Sequence, residues 1–429
     1  MTQTNSAIVI GAGLAGCEAA WSCAQRGVPV TLYEQKPLVK SPAHHSENFA
    51  ELVCSNSLKS KLENKAPGML KAWCREKGSL LLECADVTSV PAGNALAVDR
   101  DQFSALVTGR INSHPLIMVK HETVLDIKTL PQGRPIALAT GPLTDDKLLH
   151  SLELDQSSLF FYDASSPIIR FDSIDMQKAF FGERYGDLEN SSTDYINCPF
   201  TVEQYDAFHV ELVNARRAKL HDFDFPVFEG CMPVERLAGR GKDALRYGML
   251  KPVGFSKALG WKPHAVLQLR REDREGVLWN MVGFQTNLVF PEQKRVFRMI
   301  PGLERAEFVR YGLMHRNTYV DAPRVLDKYL RLKNKSGTYV FAAGQLNGME
   351  GYNAAIASGI YCGINLARVC KSEPLYMPNE GIFKAMLDYI TNENIKEFNP
   401  LQLNLGLLKR QPYIMKELKL CQIKCTTLQ

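Results

Sequence analysis

Ala7-Ile8-Val9-Ile10-Gly11-Ala12-Gly13-Leu14-Ala15-Gly16-Cys17-Glu18-Ala19-Ala20 decides the fold class. Four apolar residues read as a buried strand, and three glycines follow at Gly-x-Gly-x-x-Gly spacing. Small residues then continue in a helical pattern, and a second apolar run, 28–33, ends on Glu34. Strand, glycine turn, helix and strand make a βαβ unit. Gly11 permits a tight turn, Gly13 leaves room for a pyrophosphate, and Gly16 with Ala20 lets the helix pack on the sheet. The helix start, at Leu14 and Ala15, offers unpaired N–H groups and a positive dipole end to phosphates. Glu34, 18 residues beyond Gly16, is placed to accept ribose hydroxyls. The pattern predicts a dinucleotide site at Gly11, Ala12, Gly13, Leu14, Ala15, Gly16 and Glu34. The plainer alternative is a glycine-rich turn with no ligand.

A related pattern returns late in the chain. Residues 337–345 read as a strand ending in the glycine turn at Gly344 and Gln345. Gly351 and Tyr352 then open a helix on which Gly351, Ala355, Gly359 and Gly363 recur every four residues, giving one small face. A strand, a turn and a small-faced helix far from the first glycine motif suit an FAD protein better than a simple NAD enzyme. The positive end of the second helix then serves the flavin pyrimidine and the charge of the reduced ring. Gly344, Gln345, Gly351 and Tyr352 join the candidate cofactor residues; a packing helix without a ligand is the alternative.

Between the two patterns the texture changes, with strands, loops and short helices mixed from about residue 159 to 316. The expected architecture is α/β: a Rossmann-like FAD-binding domain with an inserted α+β domain. The first part covers 1–155, the insert 156–319, and the return with C-terminal helices 320–429. Residues 41–48 read as a loop over the cofactor, 69–86 as one amphipathic helix, and 117–130 as strands.

A chain of 429 residues exceeds one ordinary core, so two or three domains are expected. No stretch is apolar for long enough to span a bilayer, and the first apolar run is short, broken by glycine and without a basic leader. A cytoplasmic protein with no membrane partner is expected. The eleven cysteines include no Cys-x-x-Cys, so no metal site is expected and free thiols are. Net charge is a modest +5 but uneven: residues 231–275 hold 10 Lys/Arg against 5 Asp/Glu, and 289–335 hold 11 against 5. That distribution fits either a solvated surface or a track for a polyanion. Two cysteines keep unusual company. Cys54 sits among Ser55, Asn56 and Ser57, with His44, His45 and Lys59 near in sequence. Cys231 sits between Gly230 and Pro233, with Arg236 and Lys242 following. A reactive thiol needs such polar or cationic surroundings.

Several longer stretches add specificity: Glu51-Leu52-Val53-Cys54-Ser55-Asn56-Ser57-Leu58, Phe228-Glu229-Gly230-Cys231-Met232-Pro233, Arg240-Gly241-Lys242-Asp243, Leu278-Trp279-Asn280-Met281-Val282-Gly283-Phe284-Gln285-Thr286 and Met314-His315-Arg316-Asn317-Thr318. With the glycine motif they resemble, over nearly the full length, the TrmFO family of folate- and flavin-dependent tRNA uracil-5-methyltransferases. Asn94 and Asn347 depart from the family pattern, where Gly and Thr are expected. The resemblance implies FAD as electron carrier, methylenetetrahydrofolate as carbon donor, NADPH or NADH as reductant, and a uridine of the tRNA T-loop as acceptor. It further implies that a cysteine adds to uracil C6 and that flavin reduces a methylene intermediate. Cys231 is then the nucleophile and Cys54 the second catalytic thiol, with the two roles exchangeable.

Four rivals follow. The same chemistry on a uridine of 23S ribosomal RNA carries the same motifs. The related GidA-like enzymes modify a wobble uridine but are longer, with a helical C-terminal domain that is not expected here. A non-methylating FAD oxidoreductase, or a flavin-binding RNA chaperone, leaves the two cysteines without work.

Overall fold

The computed structural model describes residues 6–41, 43–154, 158–184, 193–218, 232–333 and 338–410. The strand Ala7–Ile10 is buried along its whole length and lies at the centre of a five-stranded sheet. The order across that sheet is Val340–Ala342, Ile136–Leu138, Ala7–Ile10, Val30–Glu34 and Ile117–His121, every neighbour parallel. A parallel sheet needs cover on both faces, which is why its strands are apolar runs rather than alternating ones. Two helices, Leu14–Ala24 and Tyr352–Cys370, cross against each other on this sheet. The four-residue repeat of small side chains explains their closeness. A Cβ on Gly359 would stand 2.3 Å from the Ala15 carbonyl oxygen, and one on Gly363 2.4 Å from that of Ala19.

The chain leaves this body along Ser158–Ala164 and returns along Met314–Val320, the two paired antiparallel from Ser158–Val320 to Ala164–Met314. Beyond them lies a six-stranded antiparallel sheet ordered Phe180–Phe181, Tyr195–Phe200, Ala265–Arg271, Leu278–Met281, Ile168–Arg170 and Phe308–Arg310. The helix Val202–Asn214, opened by a Thr201/Gln204 capping box, buries Tyr205, Phe208 and Leu212 against it. The buried apolar residues form two separate large cores, one for the parallel sheet and one for the antiparallel sheet. The architecture is therefore an α/β body of Rossmann type with an inserted α+β unit.

Two local expectations are corrected. Residues 69–86 form two helices, Ala66–Glu76 and Leu80–Val87, not one. Gly78 takes φ +80°, and the Ser79 hydroxyl accepts the Leu82 N–H, so the chain stops and restarts there. Within 117–130 only Ile117–His121 is strand; Ile127–Thr129 is a 3₁₀ turn capped by Asp126. Where helices are expected from 383 onward, the described residues hold one α-helix, Ile382–Ile390, then non-helical chain over 391–404 and a 3₁₀ turn, Leu405–Arg410; residues 411–429 lie outside the described ones.

Candidate active site

A cavity of about 500 Å³ runs from the first glycine turn to the junction with the insert. Gly11, at φ +95°, turns the chain out of the central strand, and a Cβ there would stand 2.5 Å from the Ala139 carbonyl oxygen. Gly16 lies beneath the turn: a Cβ would stand 1.7 Å from the Gly11 carbonyl oxygen. Gly13 differs from both, since nothing lies within 4 Å of its added Cβ, which would enter the cavity. It is also the N-cap of Leu14–Ala24 and supplies no side-chain cap. The first-turn N–H groups are thus left for a ligand, as an anion site requires. Glu34 faces the same turn. Its carboxylate accepts the Ala12 N–H at 2.6 Å and the Lys36 N–H at 2.9 Å, which leaves further lone pairs for hydroxyl donors.

The second helix comes to the other end of the cavity. Gly351, at φ +94°, is the N-cap of Tyr352–Cys370, again without a side-chain cap. Two uncapped helix N-termini therefore open onto one cavity. Gly344 and Gln345 line it as well, and a Cβ on Gly344 would press within 2.9 Å of the Ala15 Cβ. Of the eleven predicted cofactor residues, ten line the cavity; Gly16 does not, because it serves the helix–strand contact behind it.

Cys54 stands at the domain junction, its Sγ 4.0 Å from the Ala164 carbonyl oxygen. Among the described cysteines it is the one that is not buried; Cys17, Cys23, Cys74, Cys84, Cys198, Cys362 and Cys370 are buried free thiols. Its loop is fixed from three sides. The Tyr352 hydroxyl accepts the N–H groups of Cys54 at 2.8 Å and Ser55 at 3.1 Å. Arg100 donates to the carbonyls of Leu52 and Val53 and forks onto Glu272 at 2.6 and 3.2 Å. Arg270 donates to Asn56 Oδ1 at 3.0 Å and Ser55 Oγ at 2.8 Å. Burial pushes the Tyr352 phenol well up, so it stays neutral and keeps its hydrogen-bonding role. The cations set against the thiol are thus Arg100 and Arg270, rather than the histidines and lysine that are near in sequence. His44 instead bonds Ser41 at 2.6 Å, and Lys59 faces Glu350. Cys231 lies outside the described residues.

A polar cluster completes the wall. Glu350 accepts from Gln345 Nε2 at 2.6 Å, and burial, then the Asp163 carboxylate, raises its pKa to about 8 against the pull of Lys59. Asn317 donates to Asp163 at 3.4 Å. Among the described residues, Asn280 Nδ2, Asn317 Oδ1 and Asn353 Oδ1 are buried with no hydrogen-bond partner, and all three residues line the cavity. Native proteins rarely leave such atoms unpaired, so the wall is built for a ligand with both donors and acceptors. Asp163, Arg270, Asn280 and Asn317 come from the insert and its linkers, and sequence reading missed all four. For Arg270 the available signal is alternation in Leu267-Gln268-Leu269-Arg270, which sends Leu267 and Leu269 into the insert core and Arg270 to the opposite face.

The glucose inhibited division protein A family pattern matches residues 6–374. The methylenetetrahydrofolate–tRNA-(uracil-5-)-methyltransferase TrmFO of Caldicellulosiruptor bescii is 49% identical over 414 residues, covering 95% of this chain and 93% of that protein. The protein of the same name from Geobacter sulfurreducens is 50% identical over 409 residues, covering 94% and 93%. Two crystal forms of Aquifex aeolicus GidA superpose with TM-scores of 0.67 and 0.68 at 17% identity. They cover 94% and 93% of this chain and 70% and 71% of the GidA chain, a likeness of fold.

Proposed function

The chain belongs to the TrmFO family, and on that premise we propose that it methylates C5 of a uridine in tRNA, taking the carbon from methylenetetrahydrofolate. One observation supports this most strongly: two uncapped helix N-termini and a half-buried thiol share a single cavity at the junction of two domains. FAD fits the space before Gly13, and when reduced it supplies hydride to the cavity. The N–H groups of Leu14 to Gly16 hold the pyrophosphate, Glu34 accepts ribose hydroxyls, and Gly344, Gln345 and the start of Tyr352–Cys370 receive the ring.

The protein's own groups supply the rest. Uracil C5 is a poor nucleophile. A thiolate adding to C6 forms a C–S bond and moves the electron pair into an enolate, which makes C5 nucleophilic. C5 then bonds to the methylene carbon; the C5 proton leaves to a base as that carbon's bond to the folate nitrogen breaks, leaving an exocyclic methylene on C5, and this methylene takes up a hydride to become methyl as the C6–S bond breaks and the thiolate is returned. Cys231 is the nucleophile in this reading and Cys54 the second thiol, holding the proton from C5. The uridine must leave its stack to reach the cavity.

The RNA face is proposed at residues 240–262, which hold six Lys/Arg and one Asp. Tyr247 is 85% exposed and Trp261 41%, beside exposed Lys257 and Lys262, so bases can stack while phosphates pair. Met249 packs on Gly283, which lines the cavity, so this face adjoins the site. NADPH or NADH as reductant, a T-loop uridine as target and a cytoplasmic location complete the proposal.

The test is turnover. Purified protein is incubated with methylenetetrahydrofolate, NADPH and either an unmodified tRNA transcript or a 23S ribosomal RNA fragment. One 5-methyluridine in tRNA, found by mass spectrometry, is expected. Product only in ribosomal RNA moves the substrate, and no product in either with FAD bound and reducible overturns the methyltransferase reading.

A further inference from the structure

The Cys54 loop belongs to the FAD-binding body, yet three consecutive residues of the insert grip it. Arg270 donates to Ser55 Oγ and Asn56 Oδ1, the Arg271 carbonyl accepts Asn56 Nδ2 at 2.7 Å, and Glu272 anchors Arg100, which holds the carbonyls of Leu52 and Val53. Asn56 has no freedom to turn. Its amide nitrogen is committed to Val98 O at 3.0 Å and to Arg271 O, so its oxygen must face Arg270. The Arg270 side chain is nearly fully buried and lines the cavity, and both of its hydrogen-bond partners are neutral oxygens. The nearest acidic side chain in sequence, Glu272 just past the end of its strand, is already engaged by both nitrogens of the Arg100 fork. A buried guanidinium without its own carboxylate is costly unless an anion forms beside it.

We propose that Arg270 is the positioning residue for Cys54: the insert sends this guanidinium across the domain junction to fix residues 55–56 and to keep a positive charge beside the thiol. The inference rests on the reading of Cys54 as a thiol of the reaction. The groups facing Arg270 are Glu272, Tyr195, Arg100 and Cys54, and burial pushes its own pKa down, as expected of a cation short of a partner. The fork matters as well as the charge. A lysine reaching from position 270 keeps the charge but cannot bond both oxygens in one geometry.

The test measures the thiol itself. Alkylation of Cys54 by iodoacetamide at pH 7.5 is followed on the Cys54 peptide by mass spectrometry, using purified protein with FAD bound. Arg270→Met is expected to slow alkylation roughly tenfold and Arg270→Lys by less, because a thiolate loses its neighbouring cation. Ser55→Ala, which leaves the guanidinium in place, is expected to slow it about twofold and keeps the test open where Arg270→Met does not fold. Turnover is expected to lose kcat with KM for tRNA and FAD content unchanged. Faster alkylation in Arg270→Met, the sign of a loosened loop, overturns the proposal, as does wild-type alkylation in all three variants. If instead Cys54→Ala keeps full turnover while the alkylation pattern holds, the reading of Cys54 fails and the positioning by Arg270 stands.

Discussion

Two substitutions three residues apart separate phosphate binding from packing. An added Cβ at Gly16 would stand 1.7 Å from the Gly11 carbonyl oxygen, where ordinary contact begins at 3.4 Å. The oxygen is backbone and a Cβ is fixed rigidly to its own backbone, so the clash is relieved only by moving the helix off the strand turn. Overpacking of this kind costs about 3 kcal/mol, the upper part of its usual range, and lowers Tm by roughly 3–5 °C in a chain of 429 residues. Gly13 has φ −74° and nothing within 4 Å of an added Cβ. Gly13→Ala is therefore expected to leave the ligand-free protein within about 0.5 kcal/mol of the parent. The same methyl occupies the space proposed for the pyrophosphate, so FAD binding weakens by about 1–3 kcal/mol, roughly 5- to 150-fold in Kd. Circular dichroism melting of apoprotein and quenching of FAD fluorescence during titration give the two numbers for each variant. Wild-type FAD affinity in Gly13→Ala refutes the phosphate assignment. Wild-type melting in Gly16→Ala refutes the packing one.

Cys54→Ser and Cys231→Ser are each expected to reduce 5-methyluridine formation by at least a thousandfold while FAD content stays at the parent level, read by absorbance and mass spectrometry. Glu350 has a folded pKa of about 8, raised from 4.5 by burial. Its extra proton stabilises the fold fully below about pH 4.5, and that contribution declines as pH rises and is lost above about 8. Glu350→Gln is thus expected to flatten the fall in Tm of the apoprotein between pH 6 and 9; an unchanged slope contradicts the assignment. Lys257→Gln with Lys262→Gln is expected to lower the slope of log K against log salt for tRNA by about 1–2, measured by filter binding, with FAD affinity unaltered. An unchanged slope places the RNA elsewhere.

The features legible in the sequence are those set by local sterics. The spacing of Gly11, Gly13 and Gly16 encodes a turn, an opening and a contact, and the repeat through Gly359 and Gly363 encodes a helix crossing. The break at Gly78-Ser79 was also readable, since a Gly followed by an N-cap Ser marks a stop and a start. Asn347, a departure from the family pattern, uses its side chain to tie Ala342 O and the Met349 N–H into the second glycine turn. The insert's contribution was not legible. Alternation marks Arg270 as turned away from the insert core, but Arg270, Asn280 and Asn317 reach the cavity only after the antiparallel sheet is registered and docked. The cations beside Cys54 show the same limit. Arg100 is 46 positions away in the chain and Arg270 is 216, while the nearby His44 turns to Ser41.

The central claim is that carbon passes from the folate to a tRNA uracil inside this cavity. Methylenetetrahydrofolate labelled with ¹³C in its methylene group, supplied with NADPH and unmodified tRNA, tests it in one measurement. One nucleoside of tRNA heavier by the labelled methyl group is expected, with the label in the C5 methyl of uridine. Unlabelled 5-methyluridine, or a reduced and reoxidised flavin with no methylated nucleoside, contradicts it.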